Sequence, residues 1–339
     1  MAGSERLIVV IIGLAVVVIL ANLAETRKSL HGPLYAILLL INVVFLVTYA
    51  TASNQIDVPK EASTLASVVA LVFTGLATLL LFGQFRRLIA PIFPRHETNA
   101  ETGVVTGFDP NSMTQMTGLI FSLYLLANTI LEFILAGGLA GLAQNFSGVT
   151  TRSLWTQAGI FVLFAAIGVG LGVRRRLGAT LQRLGLRAPT LTELLMGAAM
   201  AFFLYGLAFF IGGVWQAITP KDVFEQQTVL SEEIGGSVNT LMLGFVLAAT
   251  AAIGEEIAFR GALQPVFGLW PTALLFALIH SQYVLTPASL LIFAVGLGFG
   301  WLRRRYNTTT AIVAHFLYDF VLVALAIIVR YAQAMGVAR

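Results

Sequence analysis

Residues 237–267 read SVNTLMLGFVLAATAAIGEEIAFRGALQPVF. The apolar run is long enough to cross a bilayer, since about 20 apolar residues in a helix span the hydrocarbon layer. Near its end it carries Glu255, Glu256 and Arg260. A charge inside a membrane helix is costly, so each one is a functional candidate by default.

The rest of the chain fits that reading. Of 339 residues, 58% are hydrophobic and 11% charged, against about 45–50% and about 25% in a soluble domain. Mean hydropathy is +0.89. These values exclude a soluble globular enzyme, a disordered chain and a fibrous repeat. The length of the apolar runs excludes an outer-membrane barrel, whose strands are short and alternating. With no cysteine, thiolate catalysis, disulfides, iron–sulfur clusters and cysteine zinc sites are absent. The expected fold is all-α, a polytopic transmembrane bundle of about ten helices. The spans fall near 7–24, 34–51, 63–83, 117–140, 157–173, 192–215, 237–267, 271–287, 286–302 and 308–330. The first is read as a retained helix.

Basic residues test the count. Taking 174–190 as cytoplasmic places Arg174, Arg175, Arg176, Arg183 and Arg187 inside. Strict alternation then adds Arg27, Lys28, Arg86, Arg87, Arg95, Arg303, Arg304 and Arg305. The outer side receives Arg6, Lys60, Arg152, Lys221, Arg330 and Arg339. This bias supports ten spans with both termini outside. The basic residues cluster between apolar runs, so they report topology and not a nucleic-acid footprint. The Pro- and Gly-containing segment 85–115 and the Arg183–Pro189 stretch are candidate boundaries. They divide the chain into an N-terminal extension (1–112, about three helices), a connecting pair of helices (113–190) and a core (191–339).

Three segments in the last third share a geometry. Glu256 and Arg260 lie at i,i+4 on one helix face and can pair, while Glu255, about 100° around the helix, faces elsewhere. Phe276 and His280 repeat the spacing, as do His315 and Asp319. At 1.5 Å rise per residue, Glu255, His280 and His315 lie about 20, 14 and 10 Å from the cytoplasmic ends of their helices. They can meet in a cavity open to the cytoplasm. Elsewhere, Glu132 lies in the fourth span outside these motifs, and Asn145-Phe146-Ser147 matches a glycosylation sequon.

The order Glu-Glu-x-x-x-Arg, Phe-x-x-x-His, His-x-x-x-Asp resembles the CAAX-processing and bacteriocin-processing intramembrane proteases, also called the Abi family, whose relatives include the Ras-converting endopeptidase. The likeness covers about 190–335. It implies an eight-helix-type protease core and hydrolysis of a peptide bond in a peptide or membrane-protein substrate, lipidated or not. It implies that Glu255 is general base with His280, that Glu256 is held by Arg260 and shapes the site, that Phe276, one turn from His280, supports it, and that His315 and Asp319 stabilise the oxyanion. The Ras-converting enzymes carry Asn at the last position. An ionised Asp319 cannot donate, so it is protonated or it orients His315. The resemblance implies metal-free chemistry. The alternative is zinc on Glu255, His280 and His315, although the His-Glu-x-x-His signature is absent. The alternative function is a non-catalytic scaffold or a transporter, for which inverted repeats would speak; none is found. The expected location is the plasma membrane of a prokaryote, as a multi-pass protein.

Overall fold

A computed structural model describes residues 2–55, 59–98, 105–138, 149–219, 221, 224, 236, 238–280 and 287–335. The sequon at Asn145 and most of the Lys221–Glu233 loop lie outside these residues.

Among the described residues the chain is all-α apart from one short hairpin. In order come α1 (Ala2–Ala24), α2 (His31–Gln55), α3 (Lys60–Leu79), α4 (Gly83–Ile89), the antiparallel strands β1 (Glu97–Thr98) and β2 (Val105–Thr106), α5 (Met113–Leu135) and α6 (Thr151–Gly168). There follow α7 (Leu177–Leu184), α8 (Leu191–Ile218), α9 (Leu241–Glu255), a π-helical segment (Glu256–Leu263), α10 (Gln264–Phe267), α11 (Leu269–Leu278), α12 (Pro287–Arg305) and α13 (Thr308–Ala334). Each of the ten expected apolar runs meets a helix. Among the described residues, seven are long and apolar enough to cross a membrane: α1, α2, α3, α5, α8, α9 through α10, and α13. The other three fall short for separate reasons. Within the 18 residues of α6 lies Arg152, α12 ends in Arg303–Arg305, and α11 has 10 residues. The protein is a polytopic helical membrane protein.

Polar residues at the helix starts fix the boundaries. Ser112, Thr150, Thr190, Thr240 and Asn307 each accept a backbone N–H from the first turn of α5, α6, α8, α9 and α13. Such a cap satisfies a donor the helix itself leaves unpaired. At the end of α3 the buried Arg86 does the reverse, donating to the carbonyls of Leu80 and Leu81 and, across the turn, to Pro110.

Two regions of packing result. In the first, α1, α2, α3 and α5 enclose Val17, Ala21, Leu34, Leu38, Met116 and Ile120, with a second cluster of Ala66, Ala70, Ala127 and Leu131. In the second, α13 packs on α8 and α9, α9 on α6, and α11 on α12. Its core is Ala201, Leu204, Phe299, Leu302, Ala311 and Ala314. Close approach between helices there uses small residues, as in other membrane bundles. At Gly254, one position before the paired carboxylates, a Cβ would stand 3.0 Å from the Ala158 backbone of α6. That contact fixes where the charged end of α9 sits. Large apolar side chains such as Phe202, Phe203, Phe209 and Phe210 of α8 remain exposed on the outside, as a lipid-facing surface requires.

Candidate active site

From Glu256 onward the Glu-Glu-x-x-x-Arg stretch is wound as a π-helix, not the α-helix assumed from spacing. Sequence supplies the cause. Pro265 has no N–H to give the carbonyl of Gly261, and its ring crowds that carbonyl. The N–H of Gln264 bonds to Phe259, five residues back, leaving the Arg260 carbonyl outside the ladder as well. Both orphans are satisfied by cations from other helices. Arg183 of α7 donates to Gly261 at 3.0 Å, and Arg303 of α12 donates to Arg260 at 3.1 Å. Short π segments are frequent at functional sites. Four-residue neighbours stay adjacent in this wider winding, so the expected Glu256–Arg260 pair survives.

That pair is fully enclosed. Glu256 and Arg260 are 0% and 1% exposed, with Oε1 and the guanidinium 3.1 Å apart. Arg260 also donates to the carbonyl of Gly296 at 3.3 Å. Its guanidinium carbon lies 4.1 Å from the ring centre of Phe276 and 5.6 Å from that of Phe299. Aromatic faces of this kind stabilise a desolvated cation. The same Glu256 oxygen meets His315 Nδ1 at 2.8 Å, while His315 Nε2 meets Asp319 at 3.2 Å. Phe299 stacks on the His315 ring, with centroids 4.8 Å apart. Thus Arg260, Glu256, His315 and Asp319 form one chain of alternating charge type.

Glu255 turns away from that chain, as its position around the helix predicts. It faces His280, with Oε2 4.0 Å from Nε2. The other imidazole nitrogen, Nδ1, lies 2.6 Å from the Phe276 carbonyl. If Nδ1 carries the proton there, Nε2 presents its lone pair to Glu255. The buried Oε2 of Glu255 has no hydrogen-bond partner in the protein. Glu255 also lines a small cavity of about 70 Å³, with Leu154, Gln157, Ala158 and Thr250.

All seven residues named from sequence therefore gather around the π segment, but as two groups and not as one Glu255–His280–His315 trio. His315 is bonded to Glu256. Phe276 stands between the groups, 4.6 Å from His280 and 6.2 Å from His315. Glu132 lies apart from both, accepting a bond from Asn128. Three contributors escaped sequence reading. Phe299 is one apolar residue among many in α12. Arg183 and Arg303 looked like topology signals. The run Gly296-Leu297-Gly298-Phe299-Gly300 held a usable sign, because the carbonyls of Gly296 and Gly300 accept from Arg260 and Gln264.

Both ring nitrogens of His315 face carboxylates. Among the described residues no group of three or more His, Asp or Glu is placed to hold a metal ion.

Comparison with known proteins agrees with the motif order. Residues 237–321 match the family described as Rce1-like, type II CAAX prenyl endopeptidase Rce1-like. Every residue of both groups lies in that segment. The likeness to the CAAX-processing proteases read from the three motifs is thereby shown for this part of the chain. An uncharacterized protein of Bacillus subtilis (strain 168), YpbD, is 34% identical over 80 residues, which is 22% of this chain and 41% of that protein. The chain thus spans about two-fifths of the curated relative it matches. No solved structure matches.

Proposed function

We propose that the protein is an intramembrane endopeptidase in which Glu255 and His280 activate water. The observation that carries this reading is the Glu255 carboxylate, buried, unpartnered at Oε2 and 4.0 Å from His280 Nε2. That gap is too long for a direct hydrogen bond and suits a water held by both groups. The water gives its proton to Glu255 as its oxygen bonds to the substrate carbonyl carbon, and the carbonyl electron pair moves to oxygen. When the intermediate collapses, the C–N bond breaks and the departing amine takes the proton from Glu255. A positioned carboxylate acting in this way contributes about 10²–10⁴-fold.

The neighbouring chain supplies the field. With both ring nitrogens protonated, His315 donates to Glu256 and Asp319 together, and it stands with Arg260 as fixed positive charge near the developing oxyanion. In this scheme Asp319 orients His315 and does not donate. The chemistry uses no metal. The substrate is a peptide or membrane protein, lipidated or not, and not nucleic acid. The protein sits in a prokaryotic plasma membrane with the site facing the cytoplasm, in line with the basic-residue bias. The division into an extension, a connecting pair and a protease core belongs to the same proposal.

The test is cleavage of a peptide library by the purified protein, with and without chelator, for wild type and Glu255→Gln. Cleavage that resists chelator and is lost in the variant supports the reading. Cleavage that chelator abolishes, or a fully active variant, overturns it.

A further inference from the structure

A second cavity, of about 510 Å³, lies between α5, α6 and the π segment, with the ends of α1 and α7 at one side. Its volume is in the range of small-ligand sites, roughly 300–1,000 Å³. Glu255 is not among its lining residues. Phe161 lines both this cavity and the small one at Glu255, and its ring meets that of Phe259 edge to face with centroids 6.4 Å apart.

The lining is divided. One end carries Arg174, Arg175 and Arg183; Phe121, Leu125 and Phe164 line an apolar part between α5 and α6. Arg174 is answered by Glu25, a carboxylate that also receives Ser112 and the backbone of Thr114. The other acidic lining residue, Asp109, caps the N–H of Asn111. Arg183 has no carboxylate partner among the described residues. It is 8% exposed, and the charges around it are Arg175, Arg303 and Arg174. Burial and those like charges push its guanidinium down to about 9. A buried cation among cations is unfavourable unless an anion joins it.

We propose that this cavity is a phospholipid site, in which the phosphate of an anionic lipid lies on Arg175 and Arg183 and one acyl chain runs along Phe121, Leu125 and Phe164. Guanidinium groups suit phosphate oxygens through paired N–H donors. Basic pockets between membrane helices on the cytoplasmic side are a recurrent means of holding anionic head groups. A lipidated peptide has the same two-part chemistry, but Glu255 does not line this cavity, so a peptide held with its carboxylate on these arginines would lie away from that residue. The site is therefore distinct from the one proposed for proteolysis and does not depend on it.

The experiment uses the delipidated full chain in neutral detergent. Native mass spectrometry and thermal unfolding are followed as phosphatidylglycerol or phosphatidylcholine is added. One equivalent of phosphatidylglycerol should be retained and should raise the unfolding temperature, with phosphatidylcholine doing neither. Arg175→Gln and Arg183→Gln should each weaken retention about tenfold, as loss of one charge-assisted contact implies. Ser122→Phe leaves every charge in place and fills the apolar part, so it should abolish retention even if an arginine variant folds poorly. Equal retention of phosphatidylcholine, or unchanged retention in Ser122→Phe, overturns the proposal. Stabilisation by inorganic phosphate as large as by the lipid would make it a free-anion site. Displacement of the lipid by a farnesylated peptide with a free carboxylate would make it a substrate site. Either result also overturns it.

Discussion

The two packed regions differ in the polar groups they bury. In the N-terminal region the buried polar groups are mostly neutral. Asn42 joins Thr78 and Tyr124, Tyr49 joins Asn128, and Asn22 bonds the backbone of Val18 and Ile167. Glu132, at the end of one such chain, is reached by Asn128. Around α9 to α13 neutral buried groups such as Thr250, Gln264 and Asn307 are joined by ionisable ones, Glu256, Arg260 and His315, which gather at one π segment. Neutral bonds between helices stabilise a bundle at modest cost, whereas buried ions are costly unless paired and enclosed. The difference separates scaffolding from chemistry, and perturbing each side in turn measures it.

The largest effect is expected at Glu255. Glu255→Gln keeps shape and volume but removes the base, so cleavage should fall about 10²–10⁴-fold. The residue has no ion pair as close as that of Glu256, so the unfolding temperature in detergent should stay where it is. Loss of folding in this variant would show that Glu255 belongs with the structural charges.

Arg260→Ala should fail in the other way. It leaves Glu256 buried with His315 but without its arginine, and empties the aromatic enclosure made with Phe276 and Phe299. Removing one partner of a buried pair costs about 3–5 kcal/mol. Thermal unfolding should register that loss together with lost cleavage. An unchanged midpoint would mean that the Glu256–Arg260 pair contributes no stability.

Much of this arrangement was legible because its signals are local. Apolar run length located the helices, and i,i+4 spacing paired Glu256 with Arg260 and His315 with Asp319. Position around the helix turned Glu255 away from them. What escaped depends on distant partners. The π winding is held by Arg183 and Arg303, which lie 78 and 43 residues from the carbonyls they satisfy. Pro265 hinted at a disturbed ladder without naming what would repair it. Depth along straight helices suggested that His315 would meet Glu255, but it could not resolve which of two adjacent carboxylates the ring would face. The neutral bonds of the N-terminal region were invisible to a search for charge.

A smaller effect is expected at Asp319, the exposed end of the charged chain, with 24% of its side chain accessible against 6% for His315. If it only orients the ring, Asp319→Asn keeps an acceptor oxygen for Nε2–H. The kcat should then fall by roughly tenfold or less, about 1.4 kcal/mol of barrier, with KM unchanged. Asp319→Ala, which removes the acceptor, should fall further. Equal loss in both variants would indicate that the negative charge itself matters, contrary to a purely orienting role.

The smallest effect belongs to the neutral side. Asn42 is 4% exposed and ties three helices, donating to Thr78 of α3 at 3.0 Å and accepting from the Tyr124 hydroxyl of α5. Asn42→Ala leaves Thr78 still bonded to the carbonyl of Thr74 one turn back, so chiefly the tyrosine loses a partner. Hydrogen bonds between membrane helices average about 0.6 kcal/mol, with the strongest near 1.7. The expected loss of stability in detergent lies in that interval, far below that of Arg260→Ala. Cleavage at saturating substrate should be unchanged, because none of these groups lies near the π segment. A fall in kcat that tracks the loss of stability would show that the neutral network positions the charged one. The division between scaffold and chemistry would then fail.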